Sequence, residues 1–133
     1  MEKLLEGKVC VITGAGRGIG RGEALAFAAA GANVVVNDLG AAGDGTGANI
    51  APADEVVKEI KAMGGVAVAN FDSVADPQAA ERIIETAITH FGRIDILINN
   101  AGILRDRIVF KMSDEEWDII QKVHMYGHFY CLR

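Results

Sequence analysis

Residues Val9-Cys10-Val11-Ile12 run without a polar interruption into Thr13-Gly14-Ala15-Gly16-Arg17-Gly18-Ile19-Gly20, and that turn runs into an alanine-rich stretch over 21–30. A strand with no polar alternation has to be covered on both faces, which predicts the centre of a parallel sheet. A strand, a glycine turn and a helix in that order also make an anion cradle. Free backbone N–H groups and the positive end of the helix dipole meet at one point, and glycine leaves no Cβ to block an approaching phosphate. The spacing is not that of a P-loop, which needs Lys and then Ser or Thr after its last glycine.

Composition narrows what such a cradle can serve. With 133 residues, 50% hydrophobic and 23% charged, the chain predicts one domain with a real core. The formal net charge of −5 argues against nucleic acid or a membrane surface as partner. The apolar runs are strand-length and turn-flanked, so no membrane span is expected. Residues 1–6 are partly acidic and carry no long apolar segment, so no signal peptide is read there. Two cysteines, Cys10 and Cys131, form no metal-ligand spacing; no metal is expected, and a reducing, cytoplasmic setting is.

Four β–α units follow one another. Strands are expected over 8–13, 33–38, 66–70 and 94–98, and helices over about 18–30, 53–63 and 76–90, with a last one from about 114. Val56, Val57, Ile60 and Met63 make the packed face of the second helix. Ala80, Ile83, Ile84, Ala87, Ile88 and Phe91 make that of the third. Asp76-Pro77 reads as a cap with a first-turn proline, Gly31 and Gly92 as helix ends, and Ser113-x-x-Glu116 as a capping box. Gly40, Gly43, Gly45 and Gly47 mark a long loop before Pro52. Alternating strands and helices predict right-handed crossovers and a doubly wound α/β sheet in three layers, with strand order 3-2-1-4. The switch point then falls between the first and fourth strands, where the glycine turn and Asn99-Asn100-Ala101-Gly102 both emerge.

Asp38 ends the second strand, eighteen residues after Gly20. A carboxylate there can accept both hydroxyls of an adenine ribose and would repel a 2′-phosphate, so it favours NAD over NADP. The competing reading is a cap on the following loop. Asp72-Ser73 after the third strand reads as a turn on residue type alone.

Thr13-Gly14-x-x-x-Gly18-Ile19-Gly20, followed at the end of the fourth strand by Asn99-Asn100-Ala101-Gly102, resembles the short-chain dehydrogenase/reductase family, with its Rossmann-like fold. The resemblance implies a nicotinamide dinucleotide held by Gly14, Gly16, Arg17, Gly18, Ile19, Gly20, Asp38, Asp72, Ser73, Asn99, Ala101 and Gly102. It implies that Asp72 accepts a hydrogen bond from the adenine amino group. It also implies that Asn99, the first asparagine, ties the central strands together, while Ala101 and Gly102 let the nicotinamide ribose lie close. Arg17 is a basic residue of the kind common in NADP-preferring members, against which Asp38 is weighed. Stretches 36–40, 69–74 and 99–107 are similar to the (3R)-hydroxyacyl-CoA dehydrogenase branch, which implies hydride exchange with a secondary alcohol or ketone, a 3-hydroxyacyl thioester or a steroid.

The family's proton-transfer residues, a Ser and a Tyr-x-x-x-Lys, are not among these residues: Tyr126 is followed four positions on by Tyr130. His124 stands where the family has a relay Asn; its bland reading is a packed helical residue. The expectation is therefore the cofactor-binding part of an enzyme, cut before its catalytic Ser, Tyr and Lys. The alternatives are a dinucleotide-binding module without catalysis, and an assembly subunit. The last helix carries Ile119, Ile120, Val123, Met125, Tyr126, Phe129, Tyr130 and Leu132 around most of its circumference, and in the resembling family it packs at a subunit interface, so a homo-oligomer is expected.

Overall fold

The computed structural model describes residues 2–41, 46–47 and 49–133. Strands β1 (Val9–Ile12), β2 (Asn33–Asn37), β3 (Val66–Asn70) and β4 (Ile96–Ile98) form one parallel sheet in the order β3-β2-β1-β4, as the alternation of elements predicts. Val9 pairs with Asn33 and Cys10 with Ile96, so β1 lies between partners. The helices are α1 (Gly18–Ala29), α2 (Ala51–Ala62), α3 (Pro77–Phe91), α4 (Asp114–Ile120) and α5 (Gly127–Leu132).

The layers follow from strand periodicity. Successive side chains of a strand point to opposite faces. Cys10 and Ile12 of β1, with Val34 and Val36 of β2, pack into one apolar cluster with Ala24 and Ala28 of α1 and Val56, Val57 and Ile60 of α2. Val9, Val11 and Val35 pack into a second cluster on the other face, with Ala80, Ile83 and Ala87 of α3 and Cys131 of α5. Both faces are apolar, which is why β1 shows no polar alternation. Alanines on α1 and α3 let those helices lie close to the sheet.

The expected caps form. The Asp76 carboxylate accepts the Ala79 N–H at 2.8 Å, Gly92 ends α3 at φ 78°, and the capping box of Ser113 and Glu116 opens α4. Four details depart from expectation. Helix α2 starts earlier, because the Asn49 side chain accepts the Ala51 N–H at 2.9 Å ahead of Pro52. Strand β4 is shorter: Asp95 is used as a pin, its carboxylate accepting the Val9 N–H at 2.9 Å and two Arg93 donors. Met63 and Ile88 are each 47% exposed; Met63 caps α2 and Ile88 borders a groove beside β4. The last helix is not uniform, for a π-helical segment, Gln121–Tyr126, joins α4 to α5. Of the glycine-rich loop, Gly43 and Gly45 lie outside the described residues.

Candidate functional site

At the carboxyl ends of the strands, where β1 and β4 diverge toward opposite layers, lies a cleft of about 360 Å³. Its walls come from the glycine turn, the end of β2, the segment after β3 and the segment after β4. Open α/β sheets offer their ligand crevice at such a point.

Thr13 is the hinge pin of the site. Its hydroxyl accepts the N–H groups of Asn100, at 3.1 Å, and Ala101, at 3.0 Å, and lies 3.4 Å from the Ile98 carbonyl. The Asn100 amide donates to the carbonyls of Thr13 and Gly14, each at 3.1 Å. The two loops that flank the cleft are thereby joined. This corrects the expectation for the paired asparagines: Asn100, not Asn99, ties the central strands. Asn99 stays half-buried outside the cleft lining.

Gly14 adopts φ 65°, and a Cβ on it would stand 2.8 Å from the Ala101 Cα. The close approach of the two loops thus excludes every other residue there. Gly16 is fixed by Asp38. Its N–H donates to Asp38 Oδ2 at 2.8 Å, and a Cβ would meet that oxygen at 2.7 Å. Asp38 Oδ1 accepts the Gly40 N–H at 2.6 Å. Both readings of Asp38 therefore hold in one geometry: the carboxylate caps its own loop, and it borders the cleft beside the glycine turn. Each oxygen receives one backbone donor and keeps acceptor capacity for another.

Arg17 is the N-cap of α1 without a side-chain cap bond, and no acidic residue occupies the first turn of that helix. The amino end of α1 therefore keeps its positive potential. The Arg17 guanidinium reaches the Ala41 carbonyl at 3.4 Å across the cleft's edge. Gly14, Arg17, Gly18, Asp38, Asp72, Ser73, Ala101 and Gly102 all line the cleft. Gly20 is buried against the Gly14 carbonyl and the Asn100 amide, and Ile19 projects outward, 78% exposed. His124, from the π-helical segment, lies over Gly102, its Nε2 being 3.1 Å from the Ile103 nitrogen and 2.9 Å from the Ile103 oxygen. One tautomer accepts from that N–H and the other donates to that carbonyl. Motif reading includes Thr13 and Asn100 without giving either a role of its own, and it passes over Asn37 and Asn70. All four are polar residues at strand ends, which was the available signal.

The model of the family described as short chain dehydrogenase matches residues 8–133. The chain belongs to the short-chain dehydrogenase family. It is 56% identical over 129 residues to a short-chain type dehydrogenase/reductase of Mycobacterium tuberculosis, covering 97% of this chain and 45% of that protein. It is 54% identical over 128 residues to peroxisomal multifunctional enzyme type 2 of Mus musculus, covering 96% of this chain and 17% of that one. A crystal structure of a short chain dehydrogenase from Mycobacterium avium superposes with a TM-score of 0.88 at 50% identity, over 98% of this chain and 45% of that one. The chain thus spans less than half the length of these relatives. The short-chain dehydrogenase fold is shared, and the resemblance to the multifunctional-enzyme branch holds over nearly the whole chain.

Proposed function

We propose that the cleft binds NAD and that the chain is the dinucleotide-holding part of an oxidoreductase acting on a secondary alcohol or ketone. The observation that carries this is the pairing of Gly16 N–H with the Asp38 carboxylate at 2.8 Å, beside an uncapped helix end. The glycine cradle and the α1 terminus suit a pyrophosphate. Asp38 offers acceptors to ribose hydroxyls and negative charge against a 2′-phosphate, so NAD is favoured over NADP. Arg17, drawn toward the Ala41 carbonyl, is read as bordering the ribose rather than as a phosphate clamp. Gly18, Ser73, Ala101 and Gly102 complete the proposed contact set on the cleft wall, with Ile19, Gly20 and Asn99 proposed as its immediate neighbours.

A bound nicotinamide ring supplies the hydride donor or acceptor. Ile103, Ile119 and Val123 give the cleft wall beside Ala101 and Gly102 an apolar surface, which suits a flat ring and disfavours water. The substrate proposed is a 3-hydroxyacyl thioester, or a steroid alcohol; likeness to the multifunctional enzyme supports it. His124 stands where the resembling family has its relay Asn, and no Tyr-x-x-x-Lys occurs among these residues. A second reading, favoured by Tyr130 standing four residues after Tyr126 where a lysine is needed, is a dinucleotide-binding module without catalysis. A homo-oligomer through the last helix, and a reducing compartment such as the cytoplasm, fit the exposed apolar helix face and the two free thiols.

Calorimetric titration with NAD and with NADP tests the reading. Saturable NAD binding, tighter than NADP binding by about tenfold or more, is expected from one charged hydrogen-bonded contact. Binding of neither dinucleotide by a folded chain overturns it.

A further inference from the structure

Behind Asp72 lies a chain of polar side chains that the dinucleotide reading leaves unused. Asn37 and Asn70 end β2 and β3 and are 1% and 7% exposed, in strands whose other residues, Asn33 apart, are valine and alanine. Asn37 Nδ2 donates to Asn70 Oδ1 and to the Asp72 carbonyl, both at 2.9 Å. Asn70 Oδ1 also accepts the Asp72 N–H at 2.9 Å. Asn70 Nδ2 donates to Asp72 Oδ2 and to Thr86 Oγ1, both at 3.0 Å, and the Thr86 hydroxyl donates to the Arg82 carbonyl at 2.7 Å. Arg82 closes the frame: its Nε, at 3.0 Å, and a terminal nitrogen, at 2.8 Å, both donate to Asp72 Oδ1.

The carboxylate of Asp72 is therefore held from two sides. The strands take one oxygen and α3 takes the other. Oδ1 carries two donors; Oδ2 carries one and keeps a lone pair. Asp72 lines the cleft on the same side as Asp38, with a quarter of its side chain exposed. The buried asparagines cost desolvation, and among the described residues no buried side-chain polar atom is left without a partner, as a preorganised frame requires. A free aspartate rotates about its side-chain bonds; this one cannot do so without breaking bonds to both an asparagine and an arginine.

We propose that Arg82 is a positioning residue for base recognition: by holding Asp72 Oδ1 it aims Oδ2 at the exocyclic amino group of the adenine of the bound dinucleotide. This rests on the NAD reading of the cleft. Arg82 touches no ligand itself. A plain strut between α3 and the sheet would affect stability but not the choice between bases.

The test compares NAD with its hypoxanthine analogue, whose base carries a carbonyl where adenine carries the amino group. Both are titrated into the full chain, and the ratio of dissociation constants is read. The expected ratio for the unaltered chain is about tenfold in favour of NAD, the size of one hydrogen bond to a charged acceptor. In Arg82→Met the ratio falls toward one, with an unchanged fold by circular dichroism. In Arg82→Lys, which offers one donor in place of a fork, it is intermediate; this variant serves also if the methionine chain fails to fold. Asp72→Ala abolishes the ratio. A ratio that stays at its original value in either Arg82 variant overturns the proposal. A ratio of one in the unaltered chain, with both dinucleotides bound, overturns it while leaving the NAD site standing. Failure to bind either dinucleotide overturns the NAD reading itself.

Discussion

Thr13 and Asp38 each do two jobs, and each yields an expected outcome. Thr13→Val keeps the shape but removes the acceptor for two backbone N–H groups, so it should destabilise by about 2–4 kcal/mol, the cost of leaving two partly buried donors unpaired. Thr13→Ser should recover most of that loss; urea unfolding of the three chains checks both. Asp38→Ser removes the carboxylate beside the glycine turn. NAD affinity should then fall about ten- to a hundredfold, and NADP affinity should rise relative to it, as titration with both will show. Asp38 was legible from its distance to Gly20 and its place at a strand end. Its bond to Gly16 was not, because that depends on the register of β1 against β2. The asparagine pair shows the same limit. Asn99-Asn100-Ala101-Gly102 is recognisable as a unit, but which asparagine meets Thr13 is decided by where β4 stops alternating, and it stops at Ile98. Arg82 carries no local signal at all, being one charged residue on the outer side of a helix.

At the scale of elements, periodicity and capping chemistry made the four β–α units readable before their contacts were known. Asp76→Ala should lower stability by about 1 kcal/mol through loss of the bond to the Ala79 N–H. Glu116 gives a pH-dependent case. The Ser113 N–H, then the Arg107 guanidinium, hold its carboxyl below the ordinary value of 4.5. A depressed carboxyl contributes stability above its unfolded value and loses it as pH falls through the folded one. The advantage of the native chain over Glu116→Gln should therefore be full at neutral pH and vanish in acid, measured by unfolding at a series of pH values. The two thiols belong to elements as well: burial pushes Cys10 up to about 12 and Cys131 up to about 11, so neither strand nor helix presents a reactive sulfur. The π-helical segment was not readable. Residues 114–132 contain no proline, and Gly127 is no stronger a break than Gly22 inside α1. What marks the segment is tertiary: within it His124 stands over Gly102 and meets the Ile103 backbone.

Across the whole molecule, an edge strand and a helix face stand out as lacking partners among the described residues. Strand β4 is an edge of the sheet, and Met125, Tyr126, Phe129 and Leu132 expose an apolar helix face. Surfaces of this kind drive association. The 133-residue chain should self-associate or bind a hydrophobic dye, and Phe129→Glu should reduce both; a clean monomer by light scattering with no dye uptake would refute this. The Thr13 clasp has a further consequence, which concerns time. Loop amides ordinarily trade their hydrogens for solvent deuterium quickly, because loops open on their own. The amides of Asn100 and Ala101 cannot open until the hydroxyl at the end of β1 lets go. They should exchange as slowly as the central strand, so that the rim of the cleft keeps the clock of the core and a ligand meets it already in its final shape.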